Sequence, residues 1–181
     1  MHILGISGSL RKQSLNTAAL RACGELLPPG VTMSIVDLAP IPLYNEDLRV
    51  QGLPEPVQHL REQIRAADAL VIATPEYNFS IPGVLKNAID WASRPPDQPF
   101  DGKPIAIIGA TPGSLGTSRA QYHLRQVFVY LNGHLLNRPE VFISGAPNKF
   151  DADGRLTDAA TSENLGKMLV ALVDWTRRLK G

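Results

Sequence analysis

Between Gly8 and Asn16 the sequence runs GSLRKQSLN, and its residue types suit one chemical task, the holding of a phosphate. Gly8 lets the backbone turn tightly and come close to a ligand. Ser9, Ser14 and Asn16 are short polar donors, and a helix starting beside them adds free backbone N–H groups at its positive end. Arg11 can fork onto phosphate oxygens with paired, charge-assisted bonds. The same residues also suit an ordinary helix N-cap at Ser14 or Asn16 beside a solvated basic pair.

A second segment, PEYNFS from Pro75 to Ser80, has a different chemistry. Tyr77 and Phe79 flank the amide of Asn78, which fits a flat heteroaromatic ring: one face to pack on, polar edges to bond. Glu76 is an acid or base in type, but no evident partner tunes it, so a solvated or backbone-bonding role is the simpler reading. Ser80 reads as the cap of the next helix, with Pro82 in its first turn. A third segment, ATPGSLGTSRAQ from Ala110 to Gln121, offers Gly113 and Gly116 for close backbone approach and the Ser114 hydroxyl, with Ser118 as a helix cap. A phosphate cradle, an aromatic platform and a backbone wall together describe a site for a mononucleotide with a large flat ring.

The elements that must bring these segments together are legible in the pattern. Short apolar runs rich in β-branched residues predict strands at His2–Ile6, Met33–Asp37, Ala69–Thr74, Ile105–Gly109 and Val141–Ile143. Helical spacing follows each, as in Ala18, Leu20 and Cys23, in Val57, Leu60 and Ile64, or in Leu165, Met168, Leu169 and Leu172. Strands that are apolar throughout imply helices on both faces of a parallel sheet. The expected fold is therefore α/β, a flavodoxin-like three-layer sandwich with a five-stranded parallel sheet, forming one domain over residues 1–181. In such folds ligands sit beyond the carboxyl ends of the strands, at the switch point of the sheet. The loops after the first, third and fourth strands converge there.

Composition narrows the classes. A formal net charge of +1 over 181 residues gives no global attraction to nucleic acid or an anionic membrane. Cys23 is the only cysteine, so an intramolecular disulfide is excluded and a cysteine-based zinc cluster nearly so; no metal is expected. The N-terminus lacks a signal-peptide pattern, and no run approaches the roughly 20 apolar residues of a membrane helix, which makes a cytoplasmic protein the expectation. There is no G-x-x-x-x-G-K-[ST], no G-x-G-x-x-G and no acidic cluster after the first strand. A low-molecular-weight phosphatase needs a cysteine in the first loop, and Cys23 lies beyond it.

Three blocks resemble the NADPH-dependent FMN reductase family, in the branch of quinone and chromate reductases: GSLRKQSLN, PEYNFSIPGVLKNAIDWAS and GATPGSLGTSRAQYHLR. PLYNED at Pro42–Asp47 is a fourth, and the likeness runs in order to about Gly145. The P-E-Y-N-x-S-x-P-G block is its most specific part. The resemblance implies an FMN phosphate on Ser9, Arg11, Ser14 and Asn16. It implies the ribityl chain and isoalloxazine against Pro75, Glu76, Tyr77, Asn78 and Phe79, with Ser114 and Gly116 at the ring edge. It further implies NADPH or NADH as donor, hydride transfer through flavin N5 to quinones or similar acceptors (chromate, azo or nitro compounds among them) in a ping-pong cycle, and a homodimer or homotetramer. No side chain is required as nucleophile or general base, so no catalytic residue is assigned; His123 and His134 fall on a helix face or just past its end. Arg11, Lys12 and Arg49 are candidates for reading a donor 2′-phosphate.

One departure is visible. Thr117 stands where the family commonly has a glycine, and a β-branched residue resists positive φ, so the turn is expected to differ and the pocket edge to be narrower. An electron-carrier flavodoxin shares this fold and cofactor, but such carriers are acidic and lack an arginine in the phosphate loop. A flavin-based redox sensor is the other alternative, and no protruding tail or charged patch favours it.

Overall fold

A computed structural model describes residues 1–181. Strands β1 (His2–Ser7), β2 (Thr32–Val36), β3 (Ala69–Ala73) and β4 (Pro104–Ala110) pair in parallel, in the order β2-β1-β3-β4. Each lies within one residue of its predicted bounds. Helices α1 (Leu15–Glu25), α2 (Glu46–Arg49), α3 (Glu55–Ala66), α4 (Gly83–Ala92), α5 (Ser118–Tyr130) and α6 (Ala159–Lys180) connect and cover them.

The fifth predicted strand, Val141–Ile143, is present with those bounds, and a further two-residue strand shares its position in the sheet. β5 (His134–Leu135) pairs with the start of β4, at Pro104 and Ile105, while β6 (Val141–Ile143) pairs with its end, from Ile108 to Ala110. Pro139 lies between the two and has no N–H to give to a ladder. The sheet thus has six strands in five positions, in the flavodoxin-like order.

Alternation along the strands explains the layering. On β3, Ala69, Val71 and Ala73 join a core with α1 and α6, whereas Leu70 and Ile72 join the core with α3, α4 and α5. β4 repeats this with Ala106, Ile108 and Ala110 against Ile105 and Ile107. The alanines let α1 and α6 approach closely; the branched side chains fill the other side. No helix is long and apolar enough to cross a membrane.

Cys23 sits on α1 inside the first core, and burial pushes its thiol up to about 12, since a thiolate there loses its hydration. Folded protein is expected to leave Cys23 unmodified by a thiol reagent that titrates it fully in denaturant. Fast modification of native protein would show that α1 opens locally.

The PLYNED segment docks on α4. Asn87 and Trp91 both donate to the Pro42 carbonyl, at 2.8 and 2.9 Å, and the Tyr44 N–H donates to Asn87 Oδ1 at 2.8 Å. Arg49 and then the Tyr44 hydroxyl bond the Glu46 carboxylate and hold it down at about 2. Arg49 is thereby committed within its own turn.

Candidate functional site

The loops after β1, β3 and β4 meet as expected. The Gly8 N–H donates to the Ala73 carbonyl at 2.8 Å, joining the first two strand ends. Asn16 joins the first to the fourth: its Nδ2 donates to the Ala110 carbonyl at 3.0 Å and its Oδ1 accepts the Ala110 N–H at 2.9 Å. Between the loops lies a cleft of about 200 Å³ lined by Ser9, Arg11, Ser14, Asn16, Pro75, Glu76 and Tyr77, with Thr111 and Pro112 opposite. Seven of the eleven predicted residues therefore share one cavity.

At one end of the cleft, Ser14 caps α1 by accepting the Thr17 N–H at 3.3 Å. The N–H groups of Leu15 and Asn16 at the head of α1 have no acceptor in the chain, as at any helix start. Ser9 Oγ accepts the Arg11 N–H at 3.3 Å and shapes the turn. The Arg11 guanidinium is exposed and unpaired. Asn16 is different: it is buried, each end of its amide is bonded to Ala110, and its side chain braces α1 against β4.

At the other end the third loop forms a two-residue hairpin. Tyr77 and Ser80 exchange both backbone bonds, at 3.1 and 3.0 Å, and the residues between them, Asn78 and Phe79, have φ of 52° and 63°. Two left-handed residues are the signature of a type I′ turn. Asparagine tolerates that conformation; a phenylalanine there is strained. What holds it is α5. Glu76, read from sequence as solvated or backbone-bonding, does bond backbone: it accepts the Ala120 N–H at 3.1 Å, and it also pairs with Arg119 at 3.3 Å. Arg119 in turn lies over the Phe79 ring, 3.9 Å from its centroid. Ser80 does not cap α4; Pro82 occupies the N-cap without a side-chain bond, and the Ser80 hydroxyl meets His123 Nδ1 at 2.9 Å. His134 is in β5, at the amino end of the sheet, away from the loops.

Phe79→Gly is expected to be close to neutral for stability. It removes strain of about 1–2 kcal/mol but also an exposed cation–π contact of about 0.5–1 kcal/mol, and adds unfolded-state freedom of similar size. The thermal midpoint is expected to stay within about 4 °C of the parent. A larger fall in calorimetry would show that the Arg119 stack outweighs the strain.

The fourth loop corrects the expectation about Thr117. It takes φ 64°, so the positive-φ turn is kept despite the β-branch. Its side chain is buried and points inward, where Gly109 on β4 leaves room: a Cβ on Gly109 would fall 1.7 Å from Thr117 Oγ1. The cleft edge is not narrowed by it. Thr117, not Ser118, is the N-cap of α5 and makes no side-chain cap bond; Glu76 supplies that bond from the third loop. Gly116 is buried against Phe142 of β6, and Ser114 is exposed further along the loop; neither lines the 200 Å³ cleft, nor do Asn78 and Phe79. Arg119 and Gln121 brace the loops without any local signal of their own in the sequence, and His123, placed by sequence on a helix face, meets the third loop at Ser80. Gln121 donates to the Val141 carbonyl at 3.1 Å and ties the loop to β6. The block that carries the resemblance contains all three.

The profile of the NADPH-dependent FMN reductase family matches residues 1–148. The chain belongs to that family. An NAD(P)H-dependent FMN reductase of Pseudomonas aeruginosa is 60% identical over 179 residues, covering 99% of this chain and 97% of that one. An NADPH:quinone oxidoreductase of Arabidopsis thaliana is 46% identical, covering 100% and 94%. The solved structure of FerB, a flavoenzyme NAD(P)H:(acceptor) oxidoreductase from Paracoccus denitrificans, superposes with a TM-score of 0.89 at 36% identity, covering 98% of this chain and 97% of FerB. As a member of the FMN reductase family the chain is an oxidoreductase that uses FMN and an NAD(P)H donor. Its own residues fit the cofactor: the helix head, Ser9, Ser14 and Arg11 suit a phosphate, and Tyr77 stands at the far end of the same cleft.

Proposed function

We propose that the chain reduces quinones or similar small acceptors at the expense of NAD(P)H, with residues 1–181 acting as one FMN-binding unit. The observation that carries this reading is the single cleft shared by the phosphate-type donors of the first loop and the aromatic end of the third. Ser9, Arg11, Ser14 and the head of α1 hold the phosphate. Pro75, Glu76 and Tyr77 lie along the ribityl chain and ring, with Asn78, Phe79 and Ser114 exposed on the loops beyond them and Gly116 buried behind against Phe142. Bound FMN supplies the two-electron chemistry; no side chain is assigned as acid or base.

Asn16 acts through Ala110, fixing the height of α1 against β4. Glu76 acts through α5, since its carboxylate fills the N-terminal cap that Thr117 leaves open. With FMN bound, donor and acceptor would take turns at the cofactor in a ping-pong cycle, and chromate, azo and nitro compounds would be acceptors of the same class. The subunits form a dimer or tetramer with the contact beside the flavin. Tyr77, Phe79 and Leu115 support this, because all three are exposed apolar side chains on the loops of that end.

Protein reconstituted with FMN and desalted is expected to keep a bound flavin spectrum that bleaches anaerobically with NADPH and returns with quinone. Bound flavin that stays oxidised under NADPH would transfer the chain to the carriers or sensors. Absence of FMN binding by titration would remove the reading altogether.

A further inference from the structure

Of the 18 Lys and Arg residues, only Arg11, Lys12, Arg21 and Arg178 lack both a carboxylate and a hydrogen-bonded acceptor. Three of these four stand together at the phosphate loop and the outer side of α1. They line two further clefts, of about 340 and 240 Å³, on either side of that ridge. The acids that share those clefts are turned to their own loops. Asp151 accepts the N–H groups of Asp153 and Arg155 at 3.0 and 2.8 Å, Asp153 pairs with Arg155 at 3.8 Å, and Asp37 accepts the Ala39 N–H at 2.9 Å.

One phosphate monoester does not use up this charge. The flavin phosphate has Arg11 together with neutral donors, namely two serines and the helix head, and those suffice for a dianion. Lys12 and Arg21 remain, with two positive charges and concave surface beside them. We propose that Lys12 and Arg21 form a second anion subsite and that it takes the 2′-phosphate of NADPH.

The subsite rests on the NAD(P)H-donor reading above and deepens it. A dinucleotide whose nicotinamide met the flavin would have to run back along the cofactor for its adenosine end to reach this ridge, and the two clefts beside Lys12 and Arg21 are the concave surface that would receive it. NADPH differs from NADH only by a 2′-phosphate, and that group is a dianion near neutral pH. Two unpaired cations are its natural complement. Arg49, an alternative reader by sequence, is held by Glu46.

The test uses the FMN-loaded full chain with Lys12→Gln, Arg21→Gln and the double variant. The ratio of kcat/KM for NADPH to that for NADH is expected to fall about tenfold in the double variant, whereas Arg21→Lys, which keeps the charge, is expected to retain most of the parent's ratio. Calorimetric titration gives a readout independent of turnover. Adenosine 2′,5′-bisphosphate is expected to bind the parent more tightly than AMP, and to lose that advantage in the double variant. An unchanged NADPH/NADH ratio, or a bisphosphate bound no better than AMP, would overturn the subsite. So would loss of FMN from the double variant, which would give both cations to the flavin phosphate. Failure of the donor reading itself looks different: the parent would then oxidise neither dinucleotide.

Discussion

Gly109→Ala is expected to cost the fold about 3 kcal/mol, and to lower the thermal midpoint by roughly 6–12 °C in a chain of this size. The added Cβ would lie 1.7 Å from Thr117 Oγ1, 2.9 Å from Thr117 Cβ and 2.6 Å from the Thr74 carbonyl oxygen. Thr117 has nowhere to go: it is buried, and its hydroxyl accepts from Gln121 at 3.3 Å. The Thr74 carbonyl is backbone, and the Thr74 N–H is already fixed to Ile108 at 2.9 Å. Relief must therefore come from parting the ends of β3 and β4, where the site is built. The double variant Gly109→Ala/Thr117→Gly removes both Thr117 contacts and the left-handed β-branched residue, but keeps the clash with Thr74. It is expected to regain about half of the loss, a coupling that chemical denaturation of all four proteins would measure. A Gly109→Ala protein as stable as the parent would mean that Thr117 does not pack inward, and that the fourth loop has a different course.

That pair of residues also shows where sequence reading reaches its limit. Strands buried on both faces announce themselves in consecutive apolar residues, so β1, β3 and β4 are legible to within a residue. The two-residue β5 is not, because His134 and Leu135 are too few to show a period and follow Gly133 directly. Loops are legible as chemistry and not as geometry. Ser9, Ser14 and Tyr77 stand out by their donors and rings, and they share the cleft. Ser80 resembles a cap by its neighbours in sequence, whereas its hydroxyl partner, His123, is 43 residues away. Glu76 has no visible partner in sequence for the same reason, as Arg119 and Ala120 are far along the chain. The energetic penalty on positive φ is real, yet it does not decide the turn at Thr117, because the space over Gly109 and the bond from Gln121 hold that residue in place. Asn78-Phe79 lacks the glycine that marks a type I′ turn, so the hairpin is hidden until α5 is seen holding it.

Arg11→Ala is expected to weaken FMN binding by a factor of roughly 10 to 100, the range for loss of a charge-assisted contact to phosphate. The guanidinium lines the cleft, and no carboxylate or carbonyl of the chain occupies its donors, so it has nothing to exchange for the ligand except water. Riboflavin provides the decisive control. It has the ring and ribityl chain without the phosphate, so parent and Arg11→Ala protein are expected to bind it alike. Arg11→Lys keeps the charge but not the fork, and should recover only part of the FMN affinity. Added salt should weaken FMN binding to the parent more than to Arg11→Ala, because exposed charge pairs are screened. If Arg11→Ala lost riboflavin as heavily as FMN, Arg11 would be supporting the loop rather than the phosphate. If FMN affinity were unchanged, the phosphate would rest on Ser9, Ser14 and the head of α1 alone, and Arg11 would join Lys12 and Arg21 as charge reserved for the donor.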